Sequence, residues 1–265
     1  MTGHGHRRTR ASGRSQLCGT GVAAKTSASV GAHLDVLYRD AWLCAVDKPQ
    51  GILVHGDGGG ATTLSELVAR QLARECAVIT RPQALQRLDV DTSGIVLFSL
   101  DRDTQEAFDA LFARRLVRKR YLALVRGSFP AGERVVDLPL GRDRHDGRRM
   151  LVWSGGRPST TRVRLLARQG QRSRARSLLL VEPLTGRRHQ IRVHLSHLGF
   201  PIVGDRLYGA GAPGGLMLHA LGISLTHPLT NESLDLSTLL PPRFVDVQPD
   251  LPELLGGLTG TASPG

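Results

Sequence analysis

The chain alternates short apolar runs with polar turns, and two periods can be separated in it. Leu34–Tyr38 and Trp42–Val46 read as two short strands, joined by a turn at "YRD". A second turn follows at "KPQG", where Pro49 sets φ and Gly51 supplies freedom. Leu64, Leu67, Val68 and Leu72 then recur at helical spacing behind Thr62 and Thr63, either of which can cap, with Glu66 in the first turn. "GIVLFSL" from Gly94 is a strand apolar on both faces. "DRDTQEAFDALFARRLVRKR" predicts an amphipathic helix with Phe108, Leu111 and Phe112 inward, and with charged ends that suit the helix dipole. "YLALVRG" is another strand. "STTRVRLLA" and "RSLLLVEPL", split by a polar Arg-rich turn, predict an antiparallel pair with one wet face. "RRHQIRVHLSHLG" is helical and stops at Gly199, with Pro201 beyond. "GLMLHALGISLTHP" is a strand or hairpin ending at Pro228. The class is mixed α+β, strand-rich and mainly antiparallel.

Charge changes the picture. The 265 residues carry 35 Lys+Arg against 23 Asp+Glu, a net charge of +12, and arginine supplies most of it. A basic surface of this kind meets nucleic acid through phosphate neutralisation, and Arg is the residue suited to forked phosphate contacts and stacking. The plainer source of such a composition is a GC-rich genome. Residues 1–33 hold no acidic side chain and no continuous apolar run, so they read as a disordered basic tail outside the fold; an organelle transit peptide shares that composition. Residues 34–250 are expected to form the folded domain and 251–265 a loose tail. Cys18, Cys44 and Cys76 are odd in number and far apart, which excludes a disulfide framework and fits a reducing, cytoplasmic setting. No apolar run reaches membrane-spanning length. A monomer is the default expectation.

Four stretches carry more chemistry than a core needs: "DKPQGILVHG", "RLDVDTSG", "TGRRHQIRVHLSHLG" with "PIVGDRLYG", and Lys119–Tyr121. "GDGGGATT" has no following Gly-Lys-Ser/Thr, so it is a loop and not a phosphate cradle. His189, His194, His197 and His219 invite a metal reading, but their spacings of five and three lack a zinc pattern and a fourth ligand; hydrogen-bonded or surface histidines are the simpler reading. Asp89 follows apolar Leu88 just before a turn and a buried strand. A carboxylate there is costly unless paired. With a basic partner such as Arg192 it would be a nucleophile or base; by position alone a turn-capping aspartate is the simpler reading. Asp91 and Asp101 read as loop and cap residues.

Taken together and in order, "LYRDAWLCAVDKPQGILVH", "RLDVDTSGIVLFSLD", "RKRYLALVRG", "TGRRHQIRVHLSHLGFPIVGDRLYG" and "LMLHALGISLTHP" resemble the RluA family of RNA pseudouridine synthases, from Leu34 to Pro241. The resemblance implies an α+β fold with a mixed, mainly antiparallel sheet in two subdomains, a central catalytic cleft and peripheral helices. It implies isomerisation of uridine in structured RNA, tRNA or rRNA, on a base flipped out of its stack. Asp89 is then the implied nucleophile, Tyr121 the residue that stacks on the target base, and Arg192 the ion-pair partner of Asp89. Arg87 is implied to fill the gap left by the uridine. Lys48, Arg187, His189 and Gln190 are expected around the site or on its RNA-facing rim. The reaction has no redox step and no net hydrolysis, so no cofactor or metal is called for.

Two positions depart from the family pattern. Gln86 stands where His is usual before "RLD", and Asp47 where Asn is frequent before "KP". Gln86 is expected to tune substrate contacts. It is also the one feature in favour of a catalytically silent RNA-binding protein on the same fold. A metal-dependent nuclease using the histidines is a third reading, separable by chelator treatment.

Overall fold

The computed structural model describes residues 33–56, 58–75 and 81–259. Residues 1–32 of the expected basic tail, Cys18, Cys76 and residues 260–265 lie outside the described residues. Among the described residues twelve strands and five α-helices follow one another. β1 (Val36–Arg39) and β2 (Leu43–Lys48) form the first hairpin, and the Asp40 carboxylate accepts the N–H groups of Trp42 and Leu43, each at 2.7 Å, to close its turn. Helix α1 (Leu64–Glu75) starts with a reciprocal capping box. The Thr63 N–H donates to the Glu66 carboxylate and the Glu66 N–H donates to the Thr63 hydroxyl, both at 3.2 Å. β3 (Gln83–Ala84) and β4 (Ser93–Ser99) come next, β4 being buried along its whole length.

Helix α2 (Gln105–Ala113) is shorter than its pattern predicts. Arg115 adopts a left-handed φ of 59°, and the basic run that resembled a helix end begins β5 (Arg118–Arg126). Its arginines are held by acids across the sheet: Arg118 by Glu182 and Arg120 by Asp235. Cross-strand ion pairs, not the helix dipole, are what these charges serve.

β6 (Glu133–Asp137), the small hairpin of β7 (Leu140–Arg142) and β8 (Met150–Val152), and the long pair β9 (Thr160–Gln169) and β10 (Arg176–Pro183) follow. β9 has the half-exposed face expected of it, whereas β10 is buried on both faces. Helix α3 (Gln190–His197) begins three residues later than predicted and ends as expected. The Phe200 N–H returns to the Leu195 carbonyl at 2.9 Å and the Gly199 N–H to Ser196 at 3.0 Å, with Gly199 at φ 85°, a Schellman stop. β11 (Leu218–Thr226) and β12 (Ser233–Ser237) form the last hairpin. α4 (Pro242–Val245) and α5 (Leu251–Thr259) close the described chain. Residues 251–259 are therefore helix and not loose tail, because Leu251 is completely buried against the domain.

Ten strands build one sheet along the path β1-β2-β4-β11-β5-β10-β9-β6, with β3 on β4 and β12 on β11. Among the described residues its one parallel pairing is β4 with β11. There Gly94 lies at φ 114°, and a Cβ would fall 2.2 Å from the Ala220 carbonyl oxygen, so the crossing demands glycine. Two hydrophobic clusters form along the sheet. One gathers Val46, Val68, Phe98 and Phe108; the other gathers Leu124, Phe129, Leu179 and Phe244. Tyr121 on β5 packs against both. Among the described residues no helix is long and apolar enough to cross a membrane.

Candidate active site

The loop from β3 to β4 carries Asp89, and the "KPQG" turn holds that loop from behind. Lys48 is completely buried, and its ammonium donates to the carbonyls of Pro49 (2.9 Å), Ile52 (2.8 Å) and Val90 (3.0 Å). The Gly51 N–H also donates to Val90 O at 2.8 Å, and the Gln50 amide donates to Asp91 O at 2.7 Å and Leu216 O at 2.6 Å. The two residues after Asp89 are thus pinned by three hydrogen bonds. Burial lowers the Lys48 pKa to about 8, against the opposing pull of Asp91, Asp89 and Asp47.

Arg192, on α3, reaches this loop from the other side. Its Nε donates to Asp205 Oδ2 and its Nη2 to Asp205 Oδ1, both at 2.8 Å, while Nη1 donates to Asp89 Oδ2 at 2.9 Å. Asp205 has no side-chain exposure; Asp89 keeps 24%. The pair Arg192–Asp205 is therefore a buried fork, and Asp89 is the open end of the chain of charges. Burial alone would pull the Arg192 pKa down, but the bonds and charges of Asp205 and Asp89 outweigh it and push it up. For Asp205, burial pulls upward and Arg192 wins, leaving its carboxyl below its ordinary value.

Tyr208 completes the setting. The Arg192 guanidinium lies over its ring at 5.2 Å from the centroid. Its hydroxyl accepts the Met150 N–H at 2.8 Å and sits 2.7 Å from His189 Nδ1. With the hydroxyl proton given to Nδ1, the network assigns the imidazole its proton on Nε2, which faces Asp89 Oδ1 at 3.8 Å. Burial lowers the His189 pKa, so the ring is neutral at neutral pH. His189 stands at the left-handed φ of 55° just before α3, a conformation that costs a residue with a Cβ about 1–3 kcal/mol. That turn is why α3 starts late, and it aims the ring between Tyr208 and Asp89.

Tyr121 lies at the seam of the two clusters. Its hydroxyl has no hydrogen-bond partner among the described residues, and burial followed by the Asp89 charge pushes its pKa up. Lys119 is two residues back on the same face of β5, also without a partner among the described residues, and burial lowers its pKa.

A family model described as RNA pseudouridylate synthase matches residues 43–197, more than half of the chain. The chain belongs to the RNA pseudouridylate synthase family. Among members, it is 34% identical over 205 residues to an uncharacterized RNA pseudouridine synthase, YhcT, of Bacillus subtilis (strain 168), covering 76% of this chain and 66% of that one. It is 35% identical over 226 residues to ribosomal large subunit pseudouridine synthase D of Xanthomonas campestris pv. campestris, covering 78% and 66%. The chain spans about two thirds of the length of these relatives. In three dimensions it is similar to human RNA Pseudouridylate Synthase Domain Containing 1, with TM-score 0.69, 27% identity, and 88% of this chain and 97% of that one covered. The RluA-type resemblance and the α+β, mainly antiparallel fold both stand.

Within this family member, Asp89, Arg192 and His189 converge, and Arg87, two residues before Asp89, is exposed. Lys48 and Gln190 do not face outward, contrary to expectation. The Lys48 ammonium is spent on three carbonyls. The Gln190 amide uses every donor and acceptor: it accepts from the Thr185 hydroxyl and the Arg187 N–H, and donates to Thr160 O and Thr161 Oγ1. Both are internal ties, because a side chain with its hydrogen bonds filled has none left for RNA. Arg187 is half-buried, with its Nε on Pro158 O at 3.3 Å. Gln86 is likewise engaged away from the site: it donates to Ile95 O at 3.4 Å and accepts the Leu97 N–H at 3.2 Å, extending the pairing of β3 with β4. His194 is buried between Thr161 and Leu138 O, and His219 between Ser93 and Thr238; no group of His, Cys, Asp or Glu among the described residues is arranged for a metal. Asp205 and Tyr208 were missed as partners. Their signal was present: "GDRLYG" offers a second acid for an arginine too buried to face one carboxylate alone.

Proposed function

We propose that this chain isomerises uridine to pseudouridine in structured RNA, tRNA or ribosomal RNA, with Asp89 as nucleophile. The observation that carries this reading is the asymmetry of the Asp89 carboxylate in a family member. Oδ2 is held by Arg192, while Oδ1 is 3.8 Å from the nearest imidazole nitrogen and open to a substrate. Clamping one oxygen orients the other without consuming it.

In the reaction the bond from ribose C1′ to N1 breaks and its electron pair moves into the uracil ring. The ring turns, C5 bonds to C1′, C5 gives up its proton and N1 takes one up, so the product is an isomer with no net loss of a proton. Asp89 Oδ1 engages the flipped uridine as that first bond breaks. Arg192, anchored on Asp205, balances the carboxylate charge and does not move with it. Tyr121 stacks on the base at the seam of the two clusters; with its pKa pushed up it remains a protonated phenol that can donate a hydrogen bond. Lys119 supplies a cation on the same face for the negative charge on the detached ring. The exposed Arg87 next to Asp89 is suited to the space the uridine leaves in its helix.

The test is isomer mapping. Purified protein is incubated with total RNA lacking pseudouridine, the product base is labelled selectively, and stops are mapped by reverse transcription, with Asp89→Ala alongside. Discrete stops that require Asp89 are expected, and they name the RNA. Stops that persist in Asp89→Ala overturn the nucleophile; no stops on any RNA overturn the activity.

A further inference from the structure

The β7–β8 hairpin takes no part in the chemistry above, yet it is bolted to the site. Its Met150 N–H donates to the Tyr208 hydroxyl, Arg149 lies over the Tyr208 ring at 5.4 Å, and the Arg188 guanidinium donates to the carbonyls of Gly147 and Arg148. Its tip is basic: Arg142, Arg144, Arg148 and Arg149 against Asp143 and Asp146. The acids are occupied within the tip. Asp146 is gripped by Arg148, and the Asp143 carboxylate accepts the N–H groups of His145 and Asp146. Arg142, Arg144 and Arg149 have no ion pair among the described residues.

Directly after β8 stands Trp153, 47% exposed in a chain with two tryptophans. Its indole rests on glycine. A Cβ at Gly141 would lie 2.6 Å from a ring atom and one at Gly155 2.8 Å, so both positions are shaped by the ring. The Arg144 guanidinium lies over it at 5.7 Å. An apolar ring held in place yet left in water, capped by one exchangeable cation and carried on a hairpin with further arginines outside any ion pair among the described residues, is unlike a core or packing residue. It has the two parts that single-stranded nucleic acid requires, a stacking face and phosphate-binding charge.

We propose that Trp153 is a stacking platform for an unpaired nucleobase of the substrate RNA, outside the Asp89 site, with Arg144 moving from the indole to a phosphate as the base takes its place. The proposal rests on the reading of the chain as an RNA-acting enzyme and names a second contact for that RNA. The hairpin's attachment to Tyr208 and Arg188 sets this platform at a fixed offset from Asp89, so it selects RNA with an unpaired base at that distance from the target uridine.

In a Trp42→Phe background Trp153 is the remaining tryptophan, and its fluorescence reports the platform directly. Titration with a uridine-containing single-stranded RNA dodecamer is expected to quench it, while inorganic polyphosphate, which offers charge without bases, leaves the emission unchanged. In turnover assays Trp153→Ala is expected to raise KM roughly tenfold with kcat at saturating RNA preserved, and Trp153→Phe to restore most of the loss. Equal quenching by polyphosphate, no quenching by RNA, or an unchanged KM in an active Trp153→Ala enzyme each overturns the platform. RNA-specific quenching in a protein that isomerises no RNA keeps the platform and overturns the activity. Asp89-dependent isomerisation indifferent to Trp153 does the reverse.

Discussion

Arg192 holds Asp205 with two hydrogen bonds of 2.8 Å, and this buried fork fixes the guanidinium before Asp89 is reached. The aspartate with no exposure is therefore the structural partner, and the partly open one is free on one oxygen for the role proposed for it. Asp205→Asn places an amide N–H against the guanidinium and leaves Arg192 buried with one counter-charge, the partly exposed Asp89. It is expected to destabilise the fold by about 3–5 kcal/mol, whereas Asp89→Ala, which leaves the fork intact, changes stability by less than about 1 kcal/mol. Urea denaturation of the two variants checks the ordering; equal losses would show that both carboxylates are structural.

Tyr121→Phe removes a hydroxyl that bonds to nothing among the described residues, so the fold should lose little. Turnover is expected to fall at least tenfold while the affinity for RNA changes by less than threefold, since the ring and its stacking face remain. Single-turnover rates and filter-binding constants separate the two. An unchanged rate would leave Tyr121 with stacking alone.

Lys48→Met tests a cation that faces inward. The variant removes the ammonium from the carbonyls of Pro49, Ile52 and Val90 behind the Asp89 loop and leaves Val90 O with the Gly51 N–H alone. A drop in kcat of about tenfold or more is expected, with the slope of log K against log salt unaltered, because no phosphate contact is lost. A slope reduced by about one would return Lys48 to the RNA surface.

His219 sets an acid limit. The Arg243 guanidinium donates to the Ser93 hydroxyl, Ser93 donates to His219 Nδ1, and Nε2–H donates to Thr238, which fits a neutral ring. Burial and then Arg243 lower its pKa from 6.5 to about 3. Between these values the unfolded chain binds a proton that the folded chain refuses, so stability falls as pH drops from about 6.5 towards 3, by up to about 1.4 kcal/mol per pH unit. Asp47, raised by burial to about 6, acts in the opposite sense over part of that window, while His55, His189 and His194, whose pKa values burial also lowers, act in the same sense as His219. His219→Gln keeps an acceptor and a donor but cannot take up the proton. Denaturant unfolding at pH 7 and pH 4.5 should show a smaller loss for the variant than for the wild type; an identical loss would mean that His219 does not titrate in this range.

Local physics was legible in the chain before folding. Alternation marked β9, unbroken apolar content marked β4, and Thr63 with Glu66 marked the start of α1, because each signal is written in neighbouring residues. The family motifs are similarly linear, and they brought Asp89, Tyr121 and Arg192 forward by their order. Direction was not legible. The charges of Lys48, Arg118 and Arg120 read as surface or helix-end features until the sheet supplied carbonyls and acids from distant strands to receive them. Gln86 and Gln190 read as substrate contacts until their amides were seen filled by backbone and side-chain partners. Asp205 became the anchor of Arg192 when the turn after α3 carried it back beneath the helix. A side chain's type and its neighbours in sequence determine what it can bond to; which partner it takes depends on which strands and turns fold against it, and that only the tertiary structure decided.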